Sequence, residues 1–346
     1  MENNKILDIK NLNVSFNTYA GVSHAVRGVD FHLNKGETLA IVGESGCGKT
    51  VTSKAIMGLL PKRQTIISKE GSEINYLGKN LLNYNEDEMA KIRGREISMI
   101  FQDPMTSLNP TMKIGNQIAE SILIHEKKSK EEARKDALKM LELVKIPNAK
   151  ERLNQYPFEF SGGMRQRAMI AIALACNPKI LIADEPTTAL DVTIQAQIMD
   201  LIGSLQKELN MGVILVTHDL GVVAGFADRI QVMYAGKIVE RGTVDEIFYN
   251  PKHPYIFALL KSVPKLSNKN KETLYSLTGT PPNLIDPPVG CPFAARCEFG
   301  MNICRVKYPN NVSFSKTQSC DCWLHDERAE KTGVPTELLQ RGEMIG

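Results

Sequence analysis

The strongest chemical signal in the chain is the run Gly43-Glu44-Ser45-Gly46-Cys47-Gly48-Lys49-Thr50. Glycines at this spacing let successive backbone N–H groups turn inward on an anion. A lysine after them can reach β- and γ-phosphates, and the adjoining hydroxyl of Thr50 is a hard oxygen ligand for Mg²⁺. The apolar run Thr38-Leu39-Ala40-Ile41-Val42 comes before it and reads as a buried strand; Val51 to Leu60 follows and reads as a helix. That strand–loop–helix setting separates a phosphate-binding loop from a glycine-rich turn that merely contains a lysine, and the helix N-terminus adds partial positive charge. The loop reads as a nucleoside triphosphate site.

Other residues have types and places that complete such a site. Ile180-Leu181-Ile182-Ala183-Asp184-Glu185 is an apolar strand ending in two carboxylates, where the crevice of an open α/β sheet receives ligands. Asp184 suits Mg²⁺, and Glu185 suits the polarisation of an attacking water. Gln102, where the strand Glu96 to Phe101 runs into Asp103-Pro104, can serve Mg²⁺ or that water. His218 sits at the end of the strand Gly212 to Thr217. Ser161 is a good N-cap for a helix from Met164 to Cys176, so Ser161-Gly162-Gly163 forms a second anion-binding helix end. Phe16 or Tyr19 can offer adenine a stacking face, and Phe16 is the preferred candidate.

The elements that must position these groups are legible in outline. Residues 6–16 alternate apolar and polar, as a strand does, and Val26 to Leu33 and Ser72 to Leu77 read the same way. Glu86 to Ile92 is a short helix. Residues 113–147 read as helical from apolar positions three and four apart (Ile114, Ile118, Ile122; Ala137, Met140, Leu141, Val144), with Glu126 to Lys135 as a solvated charged face. Pro186 ends the acid-tipped strand, and Asp191 precedes a helix from Val192 to Leu209.

Composition sets the outer limits. The 346 residues, 42% hydrophobic and 23% charged, suit one large or two ordinary globular domains. A net charge of +3 from 42 basic and 39 acidic residues carries no nucleic-acid footprint. No apolar stretch approaches the roughly 20 residues of a membrane span, and Met1 to Lys5 begins no secretory signal. Five of the seven cysteines fall between Cys291 and Cys322, spaced C-x₅-C-x₆-C with Cys320 and Cys322 beyond. In a reducing compartment that pattern points to a metal or redox centre, Zn²⁺ or iron–sulfur, rather than to disulfides; free thiols packed in a loop-rich segment are the other reading.

With these motifs in order, residues 6–250 resemble the nucleotide-binding subunit of an ABC transporter. The resemblance implies an α/β fold: a RecA-like P-loop core with an antiparallel β subdomain and a helical subdomain at about 103–176. It makes Gly43 to Thr50 the Walker A loop, Gln102 the Q-loop, Ser161 to Met164 the signature and Asp184 and Glu185 the Walker B acids. Ala189-Leu190-Asp191 becomes the D-loop and His218 the switch. It further implies that two such subunits close head-to-tail, so that ATP on one Walker A loop is capped by Ser161, Gly162 and Gly163 of the other. Phe160 and Met164 depart mildly from the commoner LSGGQ, and Cys47 stands where Ser is usual; none of these removes a phosphate ligand.

Residues 251–346 look like the tail of oligopeptide and dipeptide importer ATPases, a branch that includes nickel importers, through Pro281-Pro282-Asn283-Leu284 and Gly290-Cys291-x-Phe293-x-x-Arg296-Cys297. After a Lys/Asn-rich linker (Lys265 to Lys271), that tail is expected to form a small Cys-rich domain. Relatives with it imply a [4Fe–4S] cluster on Cys291, Cys297, Cys304 and Cys322, with Cys320 the rival fourth ligand and zinc the alternative metal. The resemblance implies a partner ATPase, paralogous or identical, two transmembrane permease subunits and a solute-binding protein, with this chain peripheral on the cytoplasmic face of the membrane. The DNA-repair class of ABC ATPase needs a long coiled coil between Walker A and signature, and the translation-factor class needs two cassettes; this chain has neither. A redox sensor with an ATPase output is the remaining rival.

Overall fold

The computed structural model of the chain describes residues 4–68, 71–188, 190–262, 277–329 and 333–339; the linker Lys265 to Lys271 and Ala189 of the D-loop lie outside them. Strands follow in the order β1 (Lys5–Thr18), β2 (Gly21–Asn34), β3 (Thr38–Val42), β4 (Thr65–Ile67), β5 (Glu73–Tyr76), β6 (Lys79–Asn80), β7 (Ile97–Ile100) and β8 (Ile180–Asp184). Then come β9 (Gly212–Thr217), β10 (Arg229–Tyr234), β11 (Lys237–Thr243), β12 (Asn311–Ser313) and β13 (Ser319–Asp321).

They form two sheets. One runs β2-β1-β5-β6, with β4 also paired to β1; the pairings are antiparallel. The other runs β12-β13-β11-β10-β3-β9-β8-β7 and is parallel from β10 to β7. Every residue of β3, β8 and β9 is buried. Central parallel strands covered on both faces read as near-continuous apolar runs, as these do apart from Thr38, Asp184 and Thr217 at their ends. Because they are parallel, the segments after β3, β7, β8 and β9 all leave at one edge of the sheet, which is where ligands bind in such folds.

Helices fill the spaces between. The helix after β3 spans Lys49–Ile56, not Val51 to Leu60: Gly48 caps it at φ 107°, so the helix begins inside the glycine-rich run and aims its free N–H groups into the loop. The long helical stretch expected over 113–147 is divided into Ile114–His125 and Lys130–Leu143. Ser129 opens the second with a capping box in which Glu132 returns the bond, and that local closure outcompetes continuation. These two helices pack with Gly162–Leu174 around Ile118, Leu141, Val144 and Ile170 in a core of their own.

The tail departs from expectation as well. It is no separate small domain: β13 pairs with β11 through Glu240–Cys320 and Arg241–Ser319, so the β12–β13 hairpin extends the main sheet. Phe293, Trp323, Cys291 and Cys304 share one hydrophobic cluster with Val42 and Ala183 of the central strands. Among the described residues no helix is long and apolar enough to cross a membrane.

Candidate nucleotide site

The phosphate loop is shaped by close backbone approach. A Cβ on Gly48 would stand 2.4 Å from the Ala25 carbonyl, and one on Gly43 would stand 2.1 Å from that of Met233. Only glycine lets the loop lie this tightly between β2 and β10. Lys49 is buried, and its Nζ donates to the carbonyls of Gly43 at 2.7 Å and Glu44 at 2.9 Å. The ammonium is thus stored on the loop it serves. Burial pushes the Cys47 thiol up, against the pull of Lys49. Ser45 and Gly46 complete the turn on its outer side, both exposed.

Thr50 and Asp184 meet across the sheet edge, Oγ1 donating to Oδ1 at 3.0 Å. With Lys54, Phe101, Gln102 and Asp103 they line a cavity of about 420 Å³. A hydroxyl, a carboxylate and an amide carbonyl are hard oxygen donors of the kind Mg²⁺ takes, so the residues fit that ion. Burial pushes the Asp184 carboxyl up, opposed by the Thr50 hydrogen bond.

Glu185 is the hub. It sits just past the end of β8 at φ 50°, in the left-handed region that non-glycine residues seldom adopt. Its carboxylate accepts from Gln102 Nε2 at 2.9 Å and Thr188 Oγ1 at 2.9 Å, and lies 3.2 Å from His218 Nδ1. Burial works to raise it, but Thr188 and His218 hold it below the usual carboxylate range, so it is an anion at neutral pH. Thr188 was not among the residues picked from sequence; nothing in the chain pattern sets it apart from Thr187 beside it.

The other predicted residues lie apart from this hub. Ser161 caps its helix by accepting from Met164 N at 3.4 Å, and a Cβ on Gly163 would stand 3.1 Å from Ile194. Asp191 caps the Val192–Leu209 helix through Ile194 N at 3.0 Å. Among the described residues no hydrogen bond joins Ser161, Gly162 or Gly163 to Gly43–Thr50. Phe16 is half-buried, packed against the hydrophobic core that the two sheets share, whereas Tyr19 is fully exposed at the β1–β2 turn.

Among the described residues no three His, Cys, Asp or Glu side chains are grouped to hold a metal ion. Burial pushes Cys291 and Cys297 up to about 12, and the charges of neighbouring cysteines add to the rise. They pack as small protonated hydrophobes, in one cluster with Phe293 and Trp323. Cys291, Cys297 and Cys304 all feel Cys322, while Cys320 faces Cys322 and the buried Glu240.

Comparison with known proteins agrees with this geometry. The ABC transporter family model matches residues 26–188, and the model of the oligopeptide/dipeptide transporter C-terminal region matches residues 239–304. The dipeptide transport ATP-binding protein of Bacillus subtilis is 57% identical over 326 residues, covering 94% of this chain and 96% of its own. The oligopeptide transport ATP-binding protein of the same organism is 56% identical, covering 96% and 92%. Among solved structures, the ATP-binding cassette MJ0796, a dimer in a post-hydrolysis state bound to ADP and Pi, superposes with a TM-score of 0.62 at 29% identity, over 69% of this chain and 98% of that one. With relatives more than half identical over nearly the full length of both chains, the chain belongs to the ABC transporter family, among its oligopeptide and dipeptide transport ATP-binding proteins.

Proposed function

We propose that this chain is the ATP-hydrolysing subunit that powers import of di- and oligopeptides by a multi-subunit ABC importer. The observation that carries the reading is the pair of hydrogen-bonded groups at one sheet edge, Thr50 with Asp184 and Gln102 and His218 with Glu185, of which Thr50, Gln102 and Asp184 line one cavity. Lys49 leaves the Gly43 and Glu44 carbonyls to meet the γ-phosphate, while the loop N–H groups hold the β-phosphate. Thr50, Gln102 and Asp184 are assigned to hold Mg²⁺, which when bound offsets charge on the β- and γ-phosphates. Glu185, kept ionised by its donors, takes the proton of the attacking water, and His218 aligns water and phosphate. Phe16 is assigned the adenine face.

Ser161, Gly162 and Gly163 make no hydrogen bond to the phosphate loop of their own chain among the described residues, and they are assigned, with Asp191, to the ATP of a partner subunit docked head-to-tail. The partner is a paralogue or a second copy, and the pair works on two permease subunits fed by a solute-binding protein, at the cytoplasmic face of the membrane. The thiols of Cys291, Cys297, Cys304 and Cys322 are assigned to a [4Fe–4S] cluster, or Zn²⁺ as alternative, with Cys320 the rival fourth ligand; loading it requires them to shed protons. The function is tested by reconstituting the chain with its permease and binding subunits in vesicles. ATP-dependent peptide uptake that stops with Lys49→Ala supports the reading; uptake indifferent to that change overturns it.

A further inference from the structure

Glu44 occupies the second position of the phosphate loop, where the phosphate chemistry gives its side chain no task. Here all three of its polar groups are taken. Its carboxylate receives a two-pronged ion pair from Arg296 of the tail, Nη1 to Oε2 at 2.7 Å and Nη2 to Oε1 at 3.0 Å. Its N–H donates to the Tyr255 hydroxyl at 2.9 Å, and its carbonyl accepts from Lys49 Nζ at 2.9 Å. Arg296 is itself held, donating to the Tyr234 hydroxyl at 3.1 Å and to the Thr278 carbonyl at 3.0 Å. Its side chain is 6% exposed, against 24% for Glu44.

Exposed ion pairs contribute little, but an enclosed guanidinium fork fixes both distance and direction of the carboxylate it holds. The same tail segment also grips the other wall of the site. His24 N on β2 donates to the Leu284 carbonyl at 2.8 Å, and Arg27 Nη2 to that of Pro288 at 3.3 Å. The tail therefore straps the β1–β2 hairpin to the phosphate loop.

We propose that Arg296 is a positioning residue for the ATPase: from the tail it fixes Glu44, and through Glu44 the loop backbone and Lys49, in the form that receives the triphosphate. This rests on the reading of Gly43–Thr50 as the ATP site.

The test measures ATP dependence of turnover in the assembled transporter, with binding of a fluorescent ATP analogue, for Arg296→Ala, Arg296→Lys, Glu44→Ala and the Arg296→Ala/Glu44→Ala double variant. In Arg296→Ala the KM and the analogue Kd rise about tenfold, the scale of one lost charge-assisted pair, while kcat at saturating ATP changes little. Arg296→Lys keeps the charge without the fork and recovers part of the loss. The double variant is no worse than the worse single, since both remove one interaction. A purely structural arginine would instead lower kcat through lost active protein at unchanged KM, and that result, additive losses, or an unchanged KM in Arg296→Lys when Arg296→Ala does not fold, overturns the proposal. Lys49→Ala runs beside them: retained binding there condemns the site reading itself, whereas lost binding there with intact binding in Arg296→Ala condemns only the role of Arg296.

Discussion

Replacing Phe293 by alanine removes the ring that joins the tail to the nucleotide-binding body. Phe293 is 1% exposed. Its ring lies edge-on to Tyr234 at 5.4 Å, tilted against Tyr255 at 5.4 Å and 5.8 Å from His253. Tyr234 closes β10 beside the phosphate-loop strand, and Tyr255 holds the Glu44 N–H. Truncating a packed phenylalanine costs about 3–5 kcal/mol, and ring pairs at these separations add about 0.5–1.5 kcal/mol each beyond area. With three rings facing it, a loss of about 4 kcal/mol is expected, which at about 2 °C per kcal/mol lowers Tm by roughly 8 °C. The chain's one tryptophan, Trp323, sits in the tail, so its fluorescence reports tail unfolding while far-UV circular dichroism reports the helices of the body. Both signals should shift together in the variant, because tail and body share a cluster. A fluorescence transition that moves alone, with the dichroism unmoved, would refute the reasoning and restore the tail as an independent domain.

Further perturbations bear on separate parts of the account. Gly48→Ala, whose methyl would meet the Ala25 carbonyl at 2.4 Å, should abolish saturable ATP binding, and retained affinity would show the loop is not so confined. Ser161→Arg should leave binding of ATP to the single chain intact but block ATP-driven association, which light scattering reads; unchanged association would contradict the assignment of Ser161 to the partner's nucleotide. His253 titrates near 6.5 when unfolded, but burial holds it down to about 3 in the fold. Between those values the unfolded chain binds more protons, so stability falls as pH falls: by about 2 kcal/mol at about pH 5 relative to neutrality. Urea midpoints at both pH values should show that drop in the native chain and a smaller one in His253→Gln; equal drops would exclude His253 as the source. Protein purified without oxygen should contain iron and acid-labile sulfide that Cys322→Ser loses and Cys320→Ser keeps, and stoichiometric zinc would exchange the cluster for the alternative metal.

Much of this was legible because strand burial writes itself as composition. β3, β8 and β9 are apolar in their interiors, and the residues at or just past their ends are the ones with chemistry. Helix ends were less visible: Gly48 starts its helix earlier than the apolar pattern does, and Ser129 with Glu132 interrupts a periodicity that otherwise runs on. The β10–β11 hairpin carries little local signal in the sequence, because Ala235, not Asn or Asp, takes φ 48° before Gly236 at φ 81°, a primed turn without its usual residue. What no local pattern could reveal is pairing at long range. Arg296 and Glu44 stand 252 positions apart, and although both lie in motifs, neither motif names the other. The merging of the tail into the main sheet is of the same kind, since two short strands of mixed polarity find their place only when β11 offers an edge.

The central claim is that Glu185, held by Gln102, Thr188 and His218, takes the proton that makes water a nucleophile. The most direct measurement is single-turnover hydrolysis of ATP by the assembled transporter carrying Glu185→Gln, a change that keeps size and one acceptor oxygen but not the base. ATP should bind about as tightly as in the native chain, while the hydrolysis step slows by about 10²–10⁴-fold; hydrolysis at the native rate would contradict the account.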